Sequence, residues 1–409
     1  MKFKSSAPMP AVHHPWQLGG SYRHTIGVVE PCYGSGHVIY GLPREKYTHM
    51  EVLTAPLKAL DGKTTFHAFT PFILDLSIPL IHTWNAIPRN RDFIVSFELE
   101  LPRYLHAPSD EQLRRGMELL RSSRCKAILA LSDFAYGFAK NNFAKHGFPD
   151  LVDKMSVFRG AIIDPLDPQG IPERRSPRAS FADKPFSAVV IGTDLFRKGG
   201  MYAIQAFENL RARGFEVDLT LIGDFGKDSY VFKNYLPNAD EWRDRAKSHS
   251  WIKFSGAIPN AQVFDVLRAH DICLYPSLDE SLGWLIIEAG MLGVPVLGNR
   301  LCAFPELIKH QQTGWLVDLP QRDNGRWIAI DRPEILNESL DEANDLIVKG
   351  IEDCVEYVHR NPDSLAEWGR NGRDMMKRLY GMEAAGRELE RIYDTVLEGR
   401  ALEPLRDQS

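Results

Sequence analysis

Long apolar runs are missing from this 409-residue chain. No stretch of about 18 consecutive apolar residues occurs, which excludes a membrane-crossing helix. Cysteine is scarce: Cys32, Cys125, Cys273, Cys302 and Cys354 are scattered, odd in number, and form no Cys-x-x-Cys. That usage argues against a disulfide framework or a zinc site and for a reducing, cytoplasmic setting. At the N-terminus, Lys2 and Lys4 are followed by Pro8, Pro10, His13, His14 and Pro15 and not by an apolar stretch, so a secretory signal is not expected. Charge of one sign is lacking too. The net charge is -5, and the first 170 residues carry 19 Lys and Arg against 16 Asp and Glu. This balance is too weak for a nucleic-acid partner, and it is compatible with peripheral contact at an anionic membrane face.

Several chemical signatures are also absent. No Gly-x-Gly-x-x-Gly follows a strand pattern, and neither a P-loop nor a Gly-x-Ser-x-Gly occurs. Dinucleotide oxidoreductases, P-loop phosphotransferases and esterases therefore have no support. What is present is an ordinary globular composition, 44% hydrophobic and 25% charged, long enough for two or three domains.

The prolines and charges from Asp164 to Pro185 read as a linker. Behind it, strand and helix patterns alternate. Ser187–Gly192, Val217–Gly223, Ile252–Ser255, Ile272–Tyr275 and Val294–Leu297 read as buried strands, with helices at Gly199–Arg213, Ala261–Ala269 and Gly283–Leu292. Continuous apolar strands between helices describe a parallel sheet covered on both faces. Ahead of the linker, Thr25–Val29, Thr65–Phe69, Leu80–His82, Phe93–Ser96 and Ile128–Leu131 look like strands. A helix over Ser109–Arg124 is expected to pair Glu111 and Glu118 with Arg115 and Arg121. From Asp363 to Leu397 the tail is helical, with a break near Gly381 and Gly386.

The segment Asp271–Val296 concentrates the chemistry. A strand ending at Tyr275 leads through Pro276 and Ser277 to Glu280 and then to a helix opening at Gly283, with Glu288 inside it. Backbone N–H groups of Gly283, Trp284 and Leu285 at that opening lack intrahelical partners and carry the positive end of the helix dipole, which suits a diphosphate. The carboxylates would repel the phosphate, so their use is to accept hydrogen bonds from hydroxyls on either side of it. A ligand with hydroxyls on both sides of a diphosphate is a nucleotide-sugar.

Glu280 and Glu288, flanked by Tyr-Pro-Ser and by Glu-Ala-Gly-x-x-Gly-Val-Pro-Val, resemble the signature of the retaining family-4 glycosyltransferases (glycosyl transferases group 1). Gly192 with Lys198-Gly199, Leu221–Asp224, Ile252–Gly256, Pro305–Ile308 and Thr313–Val317 extend the likeness over about 186–320. The resemblance implies an α/β chain of the GT-B fold, two Rossmann-like parallel-sheet domains facing across a cleft. The expected division is an acceptor-side domain over 1–170, a linker over 171–185, a nucleotide-sugar domain over 186–362, and C-terminal helices over 363–409 packing back toward the first domain.

By the same resemblance, Glu288 holds the ribose hydroxyls and Glu280 lies beside the donor sugar. Lys198 and the helix opening stabilise the leaving phosphate while the acceptor attacks from the same face. Donor contacts are expected from Thr193, Arg197, Ala257, Ile258, Ser281, Leu282, Gly283, Trp284 and Leu285. Thr193 stands where the family usually has arginine, and Arg197 is the nearby replacement. His82 is a candidate catalytic group because it ends a strand; Glu98 and Glu100 are acceptor-side candidates, or two residues on one solvated strand face. Arg114, Arg115, Arg121 and Arg124 could meet anionic lipid. No Asp-x-Asp occurs, so neither metal nor cofactor is expected. The reading is a hexosyltransferase taking a nucleotide-sugar donor and a glycan or lipid-linked acceptor. A nucleotide-sugar epimerase or hydrolase, or a non-catalytic sugar-nucleotide-binding protein, is the alternative.

Overall fold

The computed structural model describes residues 25–28, 37–38, 46–52, 54–56, 71–74, 77–104, 108–166, 184–226, 230–232 and 237–402. The expected strand at 65–69 and most of the linker lie outside them.

Two six-stranded sheets, each wholly parallel, organise the chain. The first contains β1 (Thr25–Val28), β2 (Thr48–Glu51), β3 (Leu80–Trp84), β4 (Asp92–Phe97), β5 (Cys125–Ala130) and β6 (Met155–Val157), in the order β2-β1-β3-β4-β5-β6. Its central strands read as apolar runs because helices and loops cover both faces. The two edge strands were not legible in advance. Thr-His-Met-Glu has no apolar run, and Met155–Val157 spans three residues.

The second sheet contains β7 (Phe186–Gly192), β8 (Val217–Gly223), β9 (Ile252–Ser255), β10 (Ile272–Tyr275), β11 (Val296–Asn299) and β12 (Gly314–Val317). Its order, β9-β8-β7-β10-β11-β12, is that of a doubly wound nucleotide-binding sheet. The winding reverses between β7 and β10, and a crevice opens outside the carboxyl ends of those strands.

Ten helices of the described residues complete the layers: α1 (Asp110–Arg121), α2 (Asp133–Lys145), α3 (Gly200–Ala212), α4 (Ala239–Ser248), α5 (Asn260–Ala269), α6 (Trp284–Met291), α7 (Phe304–Leu307), α8 (Leu336–Arg360), α9 (Ser364–Tyr380) and α10 (Met382–Leu397). In α8, Ala343, Ile347, Ile351, Val355 and Val358 form one buried stripe against the second sheet's core. Helix α9 lies on α6 and the turn that follows it so closely that a Cβ at Gly290 would stand 2.6 Å from Met376 and one at Gly369 2.2 Å from the Gly293 carbonyl oxygen. The chain then breaks at Gly381, whereas Gly386 is inside α10.

Helix α10 returns to the first domain. Tyr393 Oη meets His49 Nε2 at 2.7 Å and His82 Nδ1 at 2.8 Å, and Asp394 accepts from Lys46 Nζ at 2.6 Å.

Helix α1 has its capping box, Ser109 with Gln112. Its ion pairs differ in part from the expected ones: Arg115 meets Glu111, but Glu118 takes Arg114, and Arg121 reaches Asp150 at 2.7 Å. Arg124 donates to the Arg89 carbonyl at 2.6 Å. All four guanidiniums thus have a partner within the protein, and those of Arg114, Arg115 and Arg121 stay more than half exposed at 56%, 52% and 57%. Among the described residues no helix is long and apolar enough to cross a membrane.

Candidate active site

Carboxyl ends of β7, β8 and β10 frame a cavity of about 340 Å³, lined by residues that include Thr193, Lys198, Ala257, Ile258, Leu285 and Glu288. Its floor is flat because Gly192 and Gly223 pair at the ends of β7 and β8. A Cβ on Gly223, which has φ +132°, would fall 1.7 Å from the Gly192 carbonyl oxygen. No side chain fits there.

The β7–α3 turn drives Lys198 inward, leaving it 8% exposed. Its ammonium sits 4.5 Å from the centroid of the Tyr275 ring and donates to Tyr275 Oη and to Glu280 Oε1. The same Glu280 oxygen accepts from Arg197 and from Ser277 Oγ at 3.1 Å. Burial draws the Lys198 ammonium down to about 8, against the pull of Glu280 and with help from the Arg197 charge. Burial alone would raise Glu280; Lys198 and Arg197 outweigh it and hold the carboxyl below its usual range. Arg197 therefore spends its charge on Glu280, donates to the Asp279 carbonyl at 2.8 Å, and lies over the Tyr230 ring at 5.5 Å. It is not among the residues lining the cavity, whereas Thr193 is.

Helix α6 starts where the spacing placed it. Gly283 is its N-cap with φ +89°, and a Cβ there would come within 2.8 Å of the Phe304 ring. Among the described residues no protein acceptor sits on the Gly283 or Leu285 amide. Glu288, the fifth residue of α6 and so just past its first turn, is 6% exposed and lines the cavity. Leu282 is fully buried in the core, and Ser281 is half-buried, so both can meet a ligand chiefly through their backbone.

Sequence reasoning missed the support beneath this turn. Asp279 is buried and clasped by Arg326 through two bonds of 2.9 Å, with Tyr230 Oη donating to it at 2.9 Å. Nothing near Arg326 or Tyr230 in the chain signals a distant carboxylate partner.

Across the cleft, the end of β4 delivers Glu98 to the helix opening, where its carboxyl is hydrogen-bonded to Trp284 and feels Glu280. Burial raises its pKa, reinforced by Glu280 and opposed by Arg103 and the Trp284 bond. Arg103 lies 3.4 Å from Glu98. With its amide oxygen turned toward them, buried Asn85 accepts from Trp84 Nε1 at 2.9 Å and Arg103 Nη1 at 3.0 Å. Asn85 holds the left-handed φ of +51°, a region that asparagine enters more readily than most other non-glycine residues.

Two expectations need correction. His82 does not reach the cleft: it is fully buried, with Nδ1 on Tyr393 Oη and Nε2 on Ser96 Oγ, both at 2.8 Å. Both of its ring nitrogens are thus held by protein hydroxyls. Glu98 and Glu100 do not share a face. The strand ends at Phe97, after which Glu98 turns into the cleft and Glu100 is exposed.

Residues 186–328 match the family profile described as Glycosyl transferases group 1. Similar curated proteins include the amylovoran biosynthesis glycosyltransferase AmsK of Erwinia amylovora, 29% identical over 33% of this chain and 32% of AmsK. The phosphatidylinositol N-acetylglucosaminyltransferase gpi3 subunit of Schizosaccharomyces pombe is 25% identical over 37% of this chain and 33% of that protein. The chain thus spans about a third of the length of the curated relatives it matches. Among solved structures, a glycosyltransferase from Rickettsia africae superposes with a TM-score of 0.58 at 15% identity, covering 92% of this chain and 99% of that one. HepE from Anabaena, solved with UDP and glucose, gives a TM-score of 0.52 at 15% identity over 78% of each chain. The architecture is the GT-B fold, two parallel-sheet domains with their carboxyl strand ends facing a cleft.

Proposed function

We propose that this chain is a retaining glycosyltransferase that moves a hexose from a nucleoside diphosphate to a glycan or lipid-linked acceptor without a metal ion. The observation that carries the reading is the convergence at the switch point: buried Lys198, the α6 opening, and Glu280 and Glu288 on opposite sides of that opening. Glu288 faces the cavity bordered by Ala257 and Ile258, where it accepts hydrogen bonds from ribose hydroxyls. Lys198 and the α6 amides receive the diphosphate, and Glu280 orients the sugar.

In the transfer step the acceptor oxygen approaches the anomeric carbon from the face the diphosphate leaves. The new C–O bond forms as the bond to the phosphate oxygen breaks, and the acceptor proton passes to that departing oxygen. Charge accumulates on the leaving phosphate, where Lys198 and the helix opening act. Glu98 stands on the acceptor side, opposite Glu280. Its position also fits the epimerase or hydrolase alternative, which needs a proton-transfer group facing the sugar. The Lys198 ammonium and the α6 opening supply positive charge for the leaving diphosphate.

A thermal-shift panel of UDP-, GDP- and ADP-sugars in EDTA tests the reading. One base series is expected to raise the melting temperature by a few degrees, since ligand at a hundredfold excess over Kd adds about 2.7 kcal/mol. Turnover with that donor is expected to survive the chelator. No response to any nucleotide would leave only a structural protein, and loss of turnover in EDTA would remove the metal-free mechanism.

A further inference from the structure

The second domain reaches the first through one carboxylate that the donor site does not use. Phe304, the first residue of α7, stacks on Tyr275 at 5.6 Å and packs beneath Gly283, so the loop bearing it forms part of the phosphate site's foundation. Two residues on, Glu306 points away from that site and into the first domain. Its carboxylate accepts from the backbone amides of Asp133 at 3.0 Å and Phe134 at 2.7 Å, the first two residues of α2.

The accounting at that helix start is complete only with Glu306. Four N–H groups open any helix without intrahelical partners. Leaving the Ser132 cap amide aside, three of these belong to α2: Ser132 Oγ takes the Ala135 amide at 3.0 Å, while the Tyr136 amide already makes the first intrahelical bond, to the Ser132 carbonyl at 3.0 Å. The remaining two amides are satisfied by a residue 173 and 172 positions away from them, in the other domain. Arg159 braces the contact, bonding Asp133 at 2.5 Å and standing 3.6 Å from Glu306. The Glu306 side chain is only 20% exposed, so the bond is shielded from water.

We propose that Glu306 is a positioning residue that latches the N-terminus of α2 onto the donor-site loop and so holds the two domains in the arrangement required for transfer. The same closed arrangement brings Glu98 against Trp284, which places the acceptor side next to the sugar site. Glu306 touches neither substrate. It acts by fixing the distance between the wall that carries Glu98 and the loop that supports Lys198. The kinetic consequence rests on the glycosyltransferase reading; the latch itself does not.

Two variants and two readouts decide it. Glu306→Ala is expected to speed amide exchange at Asp133 and Phe134 at least tenfold and to lower kcat at least tenfold, with Kd for uridine diphosphate (the probe used) within twofold of wild type. Glu306→Gln keeps one acceptor oxygen without charge and is expected to fall between, which also covers the case of an alanine variant that fails to fold. Unchanged exchange at both amides overturns the latch. A loss of uridine diphosphate binding in step with kcat overturns it as well, since Glu306 would then belong to the donor site. If wild type itself transfers no sugar, the exchange arm still decides the latch while the functional reading fails separately.

Discussion

Lys198→Ala is expected to lower kcat/KM about 10²–10³-fold while the melting temperature stays within a few degrees of wild type. The size follows from what one preorganised donor at a developing oxyanion contributes in a water-poor site. The fold should tolerate the change because Glu280 keeps Arg197 and Ser277 as partners, so no buried carboxylate is left alone. Lys198→Met, which preserves the packing on Tyr275, should be as inactive as alanine if charge is what matters. The pH profile gives an independent check. The free ammonium is drawn down to about 8, so it is charged below that pH and loses its proton above it. The kcat/KM profile, which reports the free enzyme, should therefore decline as pH rises through about 8. In Lys198→Ala that limb should vanish. Wild-type kcat/KM in the alanine variant would end the assignment.

Glu288→Ala is expected to weaken uridine diphosphate about a hundredfold or more, measured by titration calorimetry, while leaving inorganic pyrophosphate binding unchanged. Hydrogen bonds to a charged acceptor contribute about 1.5–3 kcal/mol each, and a ribose diol offers two. One such bond already corresponds to roughly tenfold or more in Kd. The pyrophosphate arm separates a ribose contact from general damage to the site, because in the proposed binding mode Lys198 and the α6 amides, not Glu288, meet the phosphates. Equal loss for both ligands would show that Glu288 supports the helix opening instead. Glu288→Gln, with the same shape and no charge, should lie between wild type and alanine.

The strand, turn and helix opening of the second domain were readable because they are contiguous in the chain. A buried strand, a turn and a helix opening at Gly283 are all written within Asp271–Val296, and helical spacing places Glu288 near the helix mouth wherever the rest of the chain lies. The β7 turn with Lys198 is equally local. Arg197 shows where locality ends. Adjacency to Lys198 made it a phosphate contact, but its guanidinium turns to Glu280, Asp279 and Tyr230, which lie far off in sequence.

His82 shows the same boundary in the other domain. A polar residue near the end of an apolar strand reads as a cleft residue when only the strand is known. What α10 brings, Tyr393 edge-on to that ring with its hydroxyl 2.8 Å from Nδ1, comes from the chain's far end. Edge strands β2 and β6 escaped notice because an edge is defined by its neighbour and not by its own apolarity.

Spacing along one segment, with the handedness and rise of a helix, was enough to specify a helix opening at Gly283 between two carboxylates, since covalent geometry carries that information over a dozen residues. Glu98 beside Trp284, Arg326 on Asp279 and Glu306 on the α2 amides join groups tens to hundreds of positions apart. Those meetings depend on how finished domains dock. Burial and the shared desolvation of their polar groups set that docking, and no local pattern encodes it.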